Sequence, residues 1–369
     1  MRAVRLFLGG DVMTGRGIDQ ILPQPCDPAL HESYVRSSLD YVRLAEELNG
    51  SIARPVDRAY IWGAALEEWR RAKPDVRIAN LETSITRSEE YEDKGINYRM
   101  SPENAACLTA AGIDCCVLAN NHMLDWGRSG LLDTLASLRK LKIKAAGAGR
   151  NRDEAGTPAI MPVGGDDRVL VFSYGLSSSG VPRNWAAGRY APGVNFLADL
   201  SQASIDRVCD QIARVRRAGD SVVVSLHWGS NWGYDILPEE TRFARALIDR
   251  GGVSVIHGHS SHHFKAAELY RDGVILYGCG DFINDYEGIE GYEGYRGDLS
   301  LMFFADVAPK SGAVVGLEIV PLQIKHFRLN RPSDQDFDFV RQRLSRESQR
   351  FGVDVTVAAP GRLALKRLR

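Results

Sequence analysis

The histidines of this chain are concentrated at the ends of two predicted strands. Four of the eight lie between positions 257 and 263, directly after the apolar run Val253–Ile256, and His227 ends a second apolar run, residues 222–226. β-Branched runs of this kind predict buried strands, and the loops that follow strands commonly carry functional groups. Clustered imidazoles repel one another when protonated, whereas a divalent metal binds them in their neutral form. The pattern therefore predicts a metal site, with a hydrogen-bonded histidine cluster as the alternative.

Four further predicted strands also end in residues that bind metals or move protons. The strands cover residues 4–8, 75–79, 115–119 and 274–277, and the residues that follow them are Asp11, Glu82, Asn121, His122 and Asp281. An acidic side chain there is either a metal ligand or a turn or capping residue. Asn121 offers a neutral oxygen ligand, whereas His122 offers acid–base chemistry. Carboxylate, amide and imidazole groups without thiolate suit Mn, Fe, Zn or Mg better than a structural zinc.

The order of the predicted elements favours one domain. Strands alternate with helices in the first half of the chain and cluster later, and no linker separates Asp11 from Asp281. We therefore expect a single α/β domain over residues 1–369. Residues 19–73 are predicted to be a partly helical insertion, either a lid over the site or a packed segment, and residues 333–369 a helix followed by a hairpin.

One predicted loop contains two arginines. Residues 177–195 are rich in Gly, Ser, Pro and Asn, which predicts a loop near the active face, and they include Arg183 and Arg189. Guanidinium groups bind carboxylates and phosphates, so the two arginines are candidates for holding a small anionic substrate. The alternative is that they are ordinary surface charges.

Composition limits the partners and the location of the chain. The formal net charge is -1 and no long basic run occurs, so nucleic acid is not expected as a partner. The chain enters a strand at Val4 without an apolar stretch of about 18 residues, which predicts neither export nor a membrane anchor. The six cysteines lie mostly in apolar runs and form no Cys-x-x-Cys pair, as in reduced cytosolic proteins. We therefore expect a cytoplasmic protein, and its oligomeric state stays open.

Six short motifs, taken in order, resemble the blocks of a known family. They are Gly10-Asp-Val-Met13, Asn80-Leu-Glu82, Asn120-Asn-His122, His227-Trp-Gly229, Gly258-His-Ser-Ser-His262 and Gly278-Cys-Gly-Asp-Phe282. The family is the bacterial poly-γ-glutamate capsule-synthesis (CapA-type) family, which is related to the calcineurin-like metallophosphoesterases. The resemblance implies the calcineurin-like metallophosphatase fold, a four-layer α-β-β-α sandwich of two mostly mixed β-sheets flanked by helices.

The same resemblance implies a role for each residue and two divalent metal ions (Mn, Fe or Zn). The implied ligands of one ion are Asp11 and His262, those of the second are Asn121, His227 and His259, and Glu82 would bridge the two. His122 would assist the leaving group. Asp281 stands where the family more often has asparagine and would supply a ligand or a proton. Met13 stands where the metallophosphoesterases usually have the histidine of an Asp-x-His motif, so the first ion would have one imidazole ligand fewer here.

The function expected from these residues is metal-dependent hydrolysis. Two neighbouring ions can activate a water molecule and clamp the oxygens of a phosphoryl group, so a phosphomonoester or phosphodiester is the expected substrate. The capsule family offers an alternative, a protein that makes or cleaves γ-glutamyl amide bonds. A further alternative is a non-catalytic accessory protein with a degenerate site. No P-loop motif occurs in the sequence, which argues against ATP-dependent amide ligation.

Overall fold

The computed structural model describes residues 2–368 and confirms a mixed α/β architecture. The described helices are α1 (Arg16–Ile21), α2 (Ser38–Asn49), α3 (Ala65–Ala72), α4 (Ala106–Ala110), α5 (Gly127–Lys140), α6 (Arg152–Gly156), α7 (Gln202–Ala213), α8 (Pro238–Gly251) and α9 (Asp334–Ser348). Within residues 2–368, no helix combines the length and the apolar character needed to cross a membrane.

The described strands range in length from two to eleven residues. They are β1 (Val4–Val12), β2 (Val76–Leu81), β3 (Ser84–Ile85), β4 (Arg99–Met100), β5 (Cys115–Val117), β6 (Lys144–Ala146), β7 (Ala148–Gly149), β8 (Ala159–Gly164), β9 (Asp167–Leu176), β10 (Gly193–Val194), β11 (Phe196–Leu197), β12 (Ser221–His227), β13 (Val255–His259), β14 (Ala267–Tyr270), β15 (Gly273–Leu276), β16 (Asp281–Ile283), β17 (Leu299–Val307), β18 (Val314–Ile324), β19 (Leu329–Asn330), β20 (Val353–Ala359) and β21 (Arg362–Arg367).

Two large mixed sheets contain most of these strands. The first has ten strands, with the order β20-β21-β18-β17-β1-β2-β5-β6, β16 beside β1 and β19 beside β18. Strands β1, β2, β5 and β6 are parallel, and β17 runs antiparallel to β1. The second has seven strands, with the order β11-β9-β12-β13-β15-β14 and β8 beside β9. Strands β9, β12, β13 and β15 are parallel, and β8 and β9 form an antiparallel hairpin.

Alternating side chains on the strands divide the apolar residues among three cores. On β1, Leu6 enters a core shared by the two sheets, whereas Phe7 enters a core beneath helices α2, α3 and α5. On β12, Val223 enters the shared core and Val224 enters a third core beneath α7 and α8. Each fully buried side chain of this size contributes about 1.5–3 kcal/mol. The two sheets therefore pack against each other on one face, and helices cover the other face of each.

Residues 19–73 pack against the first sheet. Trp69 of α3 contacts Phe7 of β1 edge-on, with ring centroids 5.1 Å apart. The same segment also contributes Tyr34 and Leu48, both exposed, to the wall of a large cavity. The segment thus packs on the outer face of the sheet and also reaches the cavity with part of its surface.

The C-terminal segment forms the predicted helix and hairpin. Helix α9 begins after Ser333, whose side chain accepts a hydrogen bond from the backbone N–H of Asp336. Strands β20 and β21 pair in antiparallel fashion, and β21 pairs with β18 at the edge of the first sheet. Val340 of α9 and Leu363 of β21 both enter the shared core. Residue 369 of this predicted segment lies outside the described residues.

The first strand is longer than the sequence predicts. It continues through Gly9 and Gly10, so Asp11 lies on β1 and not in a turn after it. Neither glycine has a positive φ. Their role is to permit close approach, because a Cβ atom at Gly10 would lie 1.7 Å from the carbonyl oxygen of Gly280. This approach brings β16 beside β1 and pairs Asp11 with Asp281.

We expect Gly10→Ala to destabilise the protein strongly. The added methyl group has no room beside the Gly280 carbonyl, and overpacking of this kind costs about 1–3 kcal/mol or more. Urea unfolding measures the change in the free energy of unfolding. Gly294→Ala is the matched control, because a Cβ atom there meets nothing within 4 Å. Equal unfolding midpoints for the two variants would contradict the close-approach argument.

Candidate metal centre

The predicted metal ligands converge where the two sheets meet. Asp11 lies near the end of β1, and the strand register pairs it with Asp281, the first residue of β16. His227 and His259 are the last residues of β12 and β13 and are also paired. The carboxyl ends of parallel strands are the usual place for ligand sites in α/β proteins. All of the predicted ligands except Asn121 are buried, so little water competes for them.

Asp11 belongs to two groups of potential ligand atoms. One group joins it to His227 and His259, the other joins it to His262 and Asp281, and in each group the ligand atoms lie within 4.8 Å of one another. Nδ1 of His259 is 3.9 Å from Oδ1 of Asp11, and the Nδ1 atoms of His227 and His259 are 2.7 Å apart. The carboxylate of Asp11 therefore lies where one residue can serve two ions.

Glu82 and Asn121 lie beside the group that contains His227. Oε1 of Glu82 is 3.9 Å from Nε2 of His227, and Oδ1 of Asn121 is 2.8 Å from the same nitrogen. Asn80 donates to Asp11 at 2.8 Å and to Glu82 at 3.0 Å, which orients the two carboxylates toward the same space. Glu82 is thus placed to bind one ion, and its implied role as a bridge stays a prediction.

Asp281 lies with the candidate ligands. Its Oδ1 is 3.0 Å from Nδ1 of His262, and the side-chain amide of Asn284 donates to its Oδ2 at 2.6 Å. Burial alone would lower the pKa of His262, but the charge of Asp281, its hydrogen bond to the ring and the charge of Asp11 together raise that pKa. Of the two roles that the sequence left open for Asp281, a ligand or a proton donor, the geometry favours the ligand.

The electrostatics of these buried groups fit a divalent cation. Burial, aided by the charge of Asp281, raises the pKa of Asp11 to about 7. Burial and the charge of Asp11 raise the pKa of Glu82 well above its ordinary value. Burial also lowers the pKa of His227 and of His259 well below the ordinary value, so both imidazoles are neutral. Buried carboxylates that need a counter-charge and imidazoles that offer lone pairs are the donor set that Mn, Fe or Zn prefers.

A chain of hydrogen bonds fixes the tautomer of His259. Nε2 of His257 is 2.8 Å from the carbonyl oxygen of Gly9, which can only accept, so Nε2 carries the proton. Burial lowers the pKa of His257 to about 4, so its Nδ1 is unprotonated and accepts from the Ser225 hydroxyl at 3.1 Å. The Ser225 oxygen then accepts from Nε2 of His259 at 2.7 Å. His259 therefore turns an unprotonated Nδ1 toward Asp11, which is the form that a metal ligand needs.

His122 is held in an Asp–His pair. Its Nδ1 is 2.7 Å from Oδ2 of Asp125. The backbone N–H of Tyr98 donates to the same oxygen at 2.6 Å, and the Lys94 ammonium donates to Oδ1 at 2.7 Å. Asp125 thereby orients the His122 ring, whose Nε2 lies 3.8 Å from Oε1 of Glu82. Burial lowers the pKa of His122 to about 4, so the neutral ring can accept a proton at Nε2.

Sequence reasoning missed Asp125, Lys94 and Ser225. Asp125 stands three residues after His122 in the same polar turn, and this proximity was a usable signal. Lys94 lies in an irregular loop, and Ser225 lies inside an apolar strand. Neither of the latter positions carries a local pattern that distinguishes it from a surface or core residue.

The two arginines of the 177–195 loop do not contact these groups in the structure. Arg183 and Arg189 are exposed, and neither lines the large cavity next to His262. Trp185, between them, is buried, with Nζ of Lys94 5.2 Å from its ring centre. The loop thus adjoins the site, while the role of its arginines in holding an anion stays a prediction.

We expect Ser225→Ala to weaken metal binding about 10- to 100-fold, the usual cost of losing a group that orients a ligand. Without the hydroxyl, nothing holds the His259 proton on Nε2. Calorimetric titration with Mn²⁺ or Zn²⁺ measures the affinity. Ser173→Ala is the matched control, because Ser173 is paired with Ser225 on the adjacent strand and its buried hydroxyl has no hydrogen-bond partner among residues 2–368. Equal metal affinities for the two variants would refute the role of Ser225 in fixing the tautomer of His259.

Comparison with known proteins identifies the family. A model of the family described as "Bacterial capsule synthesis protein PGA_cap" matches residues 5–286. A "Probable polyglutamine synthesis accessory protein" of Mycobacterium tuberculosis is 47% identical over 95% of this chain and 93% of its own. The "Capsule biosynthesis protein CapA" of Bacillus anthracis is 25% identical over 75% and 58%, and the "PGA biosynthesis protein CapA" of Bacillus subtilis is 29% identical over 57% and 53%. The chain therefore belongs to the bacterial capsule synthesis family, as its six motifs predict.

Proposed function

We propose that the chain is a metal-dependent hydrolase that cleaves amide bonds in a glutamate- or glutamine-based polymer, as an accessory of capsule polymer synthesis. The observation that supports hydrolysis is the position of the Asp11 carboxylate within two groups of buried ligand atoms. The polymer is proposed from the relatives, whose names refer to polyglutamine, PGA and capsule biosynthesis. This support favours the γ-glutamyl alternative over phosphoester hydrolysis, which the ligand pattern alone suggested.

The fold proposed for this activity is the calcineurin-like four-layer sandwich. Its support is the core shared by two mixed sheets, with helix-covered cores on both outer faces. In such an arrangement the strand ends of both sheets open at one edge. The ligands come from both sheets, with Asp11 on the first and His259 on the second.

Divalent ions held by these ligands would supply polarisation of the scissile carbonyl and activation of water. The residues of the chain supply the proton transfers. His122 presents its unprotonated Nε2 to the site and can accept the proton of the attacking water. Asp125, bonded to Nδ1 at 2.7 Å, stabilises the imidazolium that forms. The imidazolium then delivers the proton to the nitrogen of the departing amine, which is a poor leaving group without it.

The proposal is tested with the protein of residues 1–369 supplied with Mn, Fe or Zn. The substrates are γ-linked glutamyl oligomers, α-linked glutaminyl oligomers, and nitrophenyl phosphate mono- and diesters. We expect new amino termini from an oligomer and no nitrophenol, and we expect Asp11→Asn to abolish both bound metal and turnover. Release of nitrophenol alone would favour the hypothesis that the substrate is a phosphoester. Bound metal without turnover of any substrate would favour the hypothesis of a non-catalytic accessory protein.

The role of His122 makes a separate prediction. We expect His122→Asn to keep its metal and its fold and to lose about 10²- to 10⁴-fold in the rate of amide cleavage, the usual contribution of acid–base catalysis. Metal content and circular dichroism are measured in the same samples as the rate. Loss of metal would show that His122 is a ligand, and an unchanged rate would show that it transfers no proton.

A further inference from the structure

A cavity of about 720 Å³ opens beside the candidate metal centre, at His262. The glycine-rich loop 286–297 forms one wall, and Trp232 and the exposed side chains of Tyr34 and Leu48 form others. Cavities of this volume hold small ligands or short stretches of a polymer. The charge and polarity of its walls therefore indicate which side groups the substrate carries next to the scissile bond.

The first cation of the cavity is Arg16, and it is fully paired. Its guanidinium contacts Asp285 at 2.6 and 3.2 Å and Glu32 at 3.0 Å. All three side chains are buried. One positive charge thus meets two carboxylates, and the cluster has no charge left for an anionic ligand.

The second cation, Arg296, is paired in the same way. It contacts Asp298 at 2.7 and 2.9 Å and Asp336 at 2.7 Å. Among the described residues that line the cavity, and apart from the candidate metal ligand His262, the remaining cation is Lys325, which is exposed at the rim. The lining also includes the carboxylate of Glu293. A carboxylate group that entered the cavity away from the metal centre would lose its hydration and face these acidic groups, which is unfavourable without a free cation there.

Apolar surface completes the cavity. Four large hydrophobic side chains of its lining are exposed: Tyr34 (64%), Leu48 (63%), Tyr292 (49%) and Ile289 (41%). Tyr292 stacks on Trp232 with ring centroids 4.1 Å apart, so the aromatic wall is continuous. Exposed apolar groups that gather around one cavity indicate a ligand with uncharged surface.

We propose that this cavity holds the substrate chain beside the metal centre and selects glutamyl residues that carry carboxamides over residues that carry free carboxylates. The inference rests on the proposed function for the kind of polymer, and on the paired charges of Arg16 and Arg296 for its amidation. A carboxamide keeps the length and shape of the carboxylate without its charge. The substrate class is thus an amidated glutamyl oligomer, either γ-linked with α-carboxamides or α-linked with side-chain carboxamides.

The test measures binding, so that it does not depend on turnover. The His122→Asn protein, supplied with Mn²⁺, is titrated with three synthetic pentamers: γ-linked with free α-carboxylates, the same chain with α-carboxamides, and α-linked pentaglutamine. We expect at least one amidated pentamer to bind about tenfold more tightly or better than the carboxylate pentamer, and the two amidated arms distinguish the linkage. Equal or tighter binding of the carboxylate pentamer, or binding of none, would overturn the inference.

Two charge variants test the cause. Asp298→Asn leaves Arg296 with one carboxylate and should shift the preference several-fold toward the carboxylate pentamer. Lys325→Gln changes an exposed side chain, so the fold should tolerate it. It should further weaken the binding of the carboxylate pentamer and leave the binding of the amidated pentamers unchanged. Asp206→Asn is the matched control, since Asp206 of helix α7 also pairs with an arginine, Arg250 of helix α8, and neither residue lines the cavity. A preference that neither cavity variant alters would overturn the electrostatic basis. If an amidated pentamer binds tightly to the His122→Asn protein but the unmutated protein cleaves no amide bond, the proposed function alone is contradicted.

Discussion

The burial of several carboxylates within a few ångströms of one another is the constraint on which this structure depends. Asp11, Glu82 and Asp281 are each at most 1% exposed, and like charges at such distances oppose ionisation in a medium of low polarity. Rigid strand ends and fixed amide donors hold them in place. Asn80 donates to two of these carboxylates, and Asn120 in turn donates to the Asn80 oxygen at 3.0 Å. Such an arrangement is stable when a cation completes it.

The sequence predicted the parts of the site that depend on local pattern. The runs 222–226 and 253–256 read as buried strands, and they form β12 and β13, which lie side by side and parallel. Because these parallel strands end at a common edge, His227 and His259 meet there, as the predicted metal site requires. Those two histidines are indeed paired, with Asp11 close by.

What the sequence could not predict depends on contacts between distant segments. The extension of β1 beyond Gly10 requires β16, which lies far along the chain. Ser225 looks like any small residue in a strand until the histidines on β13 lie beside it. The substrate was also beyond the ligand pattern, because phosphoester and amide hydrolysis both need an activated water and a proton for the leaving group. The family relation, and not the donor set, is what favours amide over phosphoester hydrolysis in the proposed function.

The hydrogen bond between His257 and the Gly9 carbonyl joins the two sheets, since the imidazole belongs to β13 and the carbonyl to β1. An ion bound to Asp11 and His259 would span the same junction. It would then act as a cross-link over the shared core, and the sheets could not separate before the ion dissociates. Binding that is confined to the folded state slows unfolding when the transition state has already lost it. Metal supply would in that way set the lifetime of the folded protein as well as its chemistry.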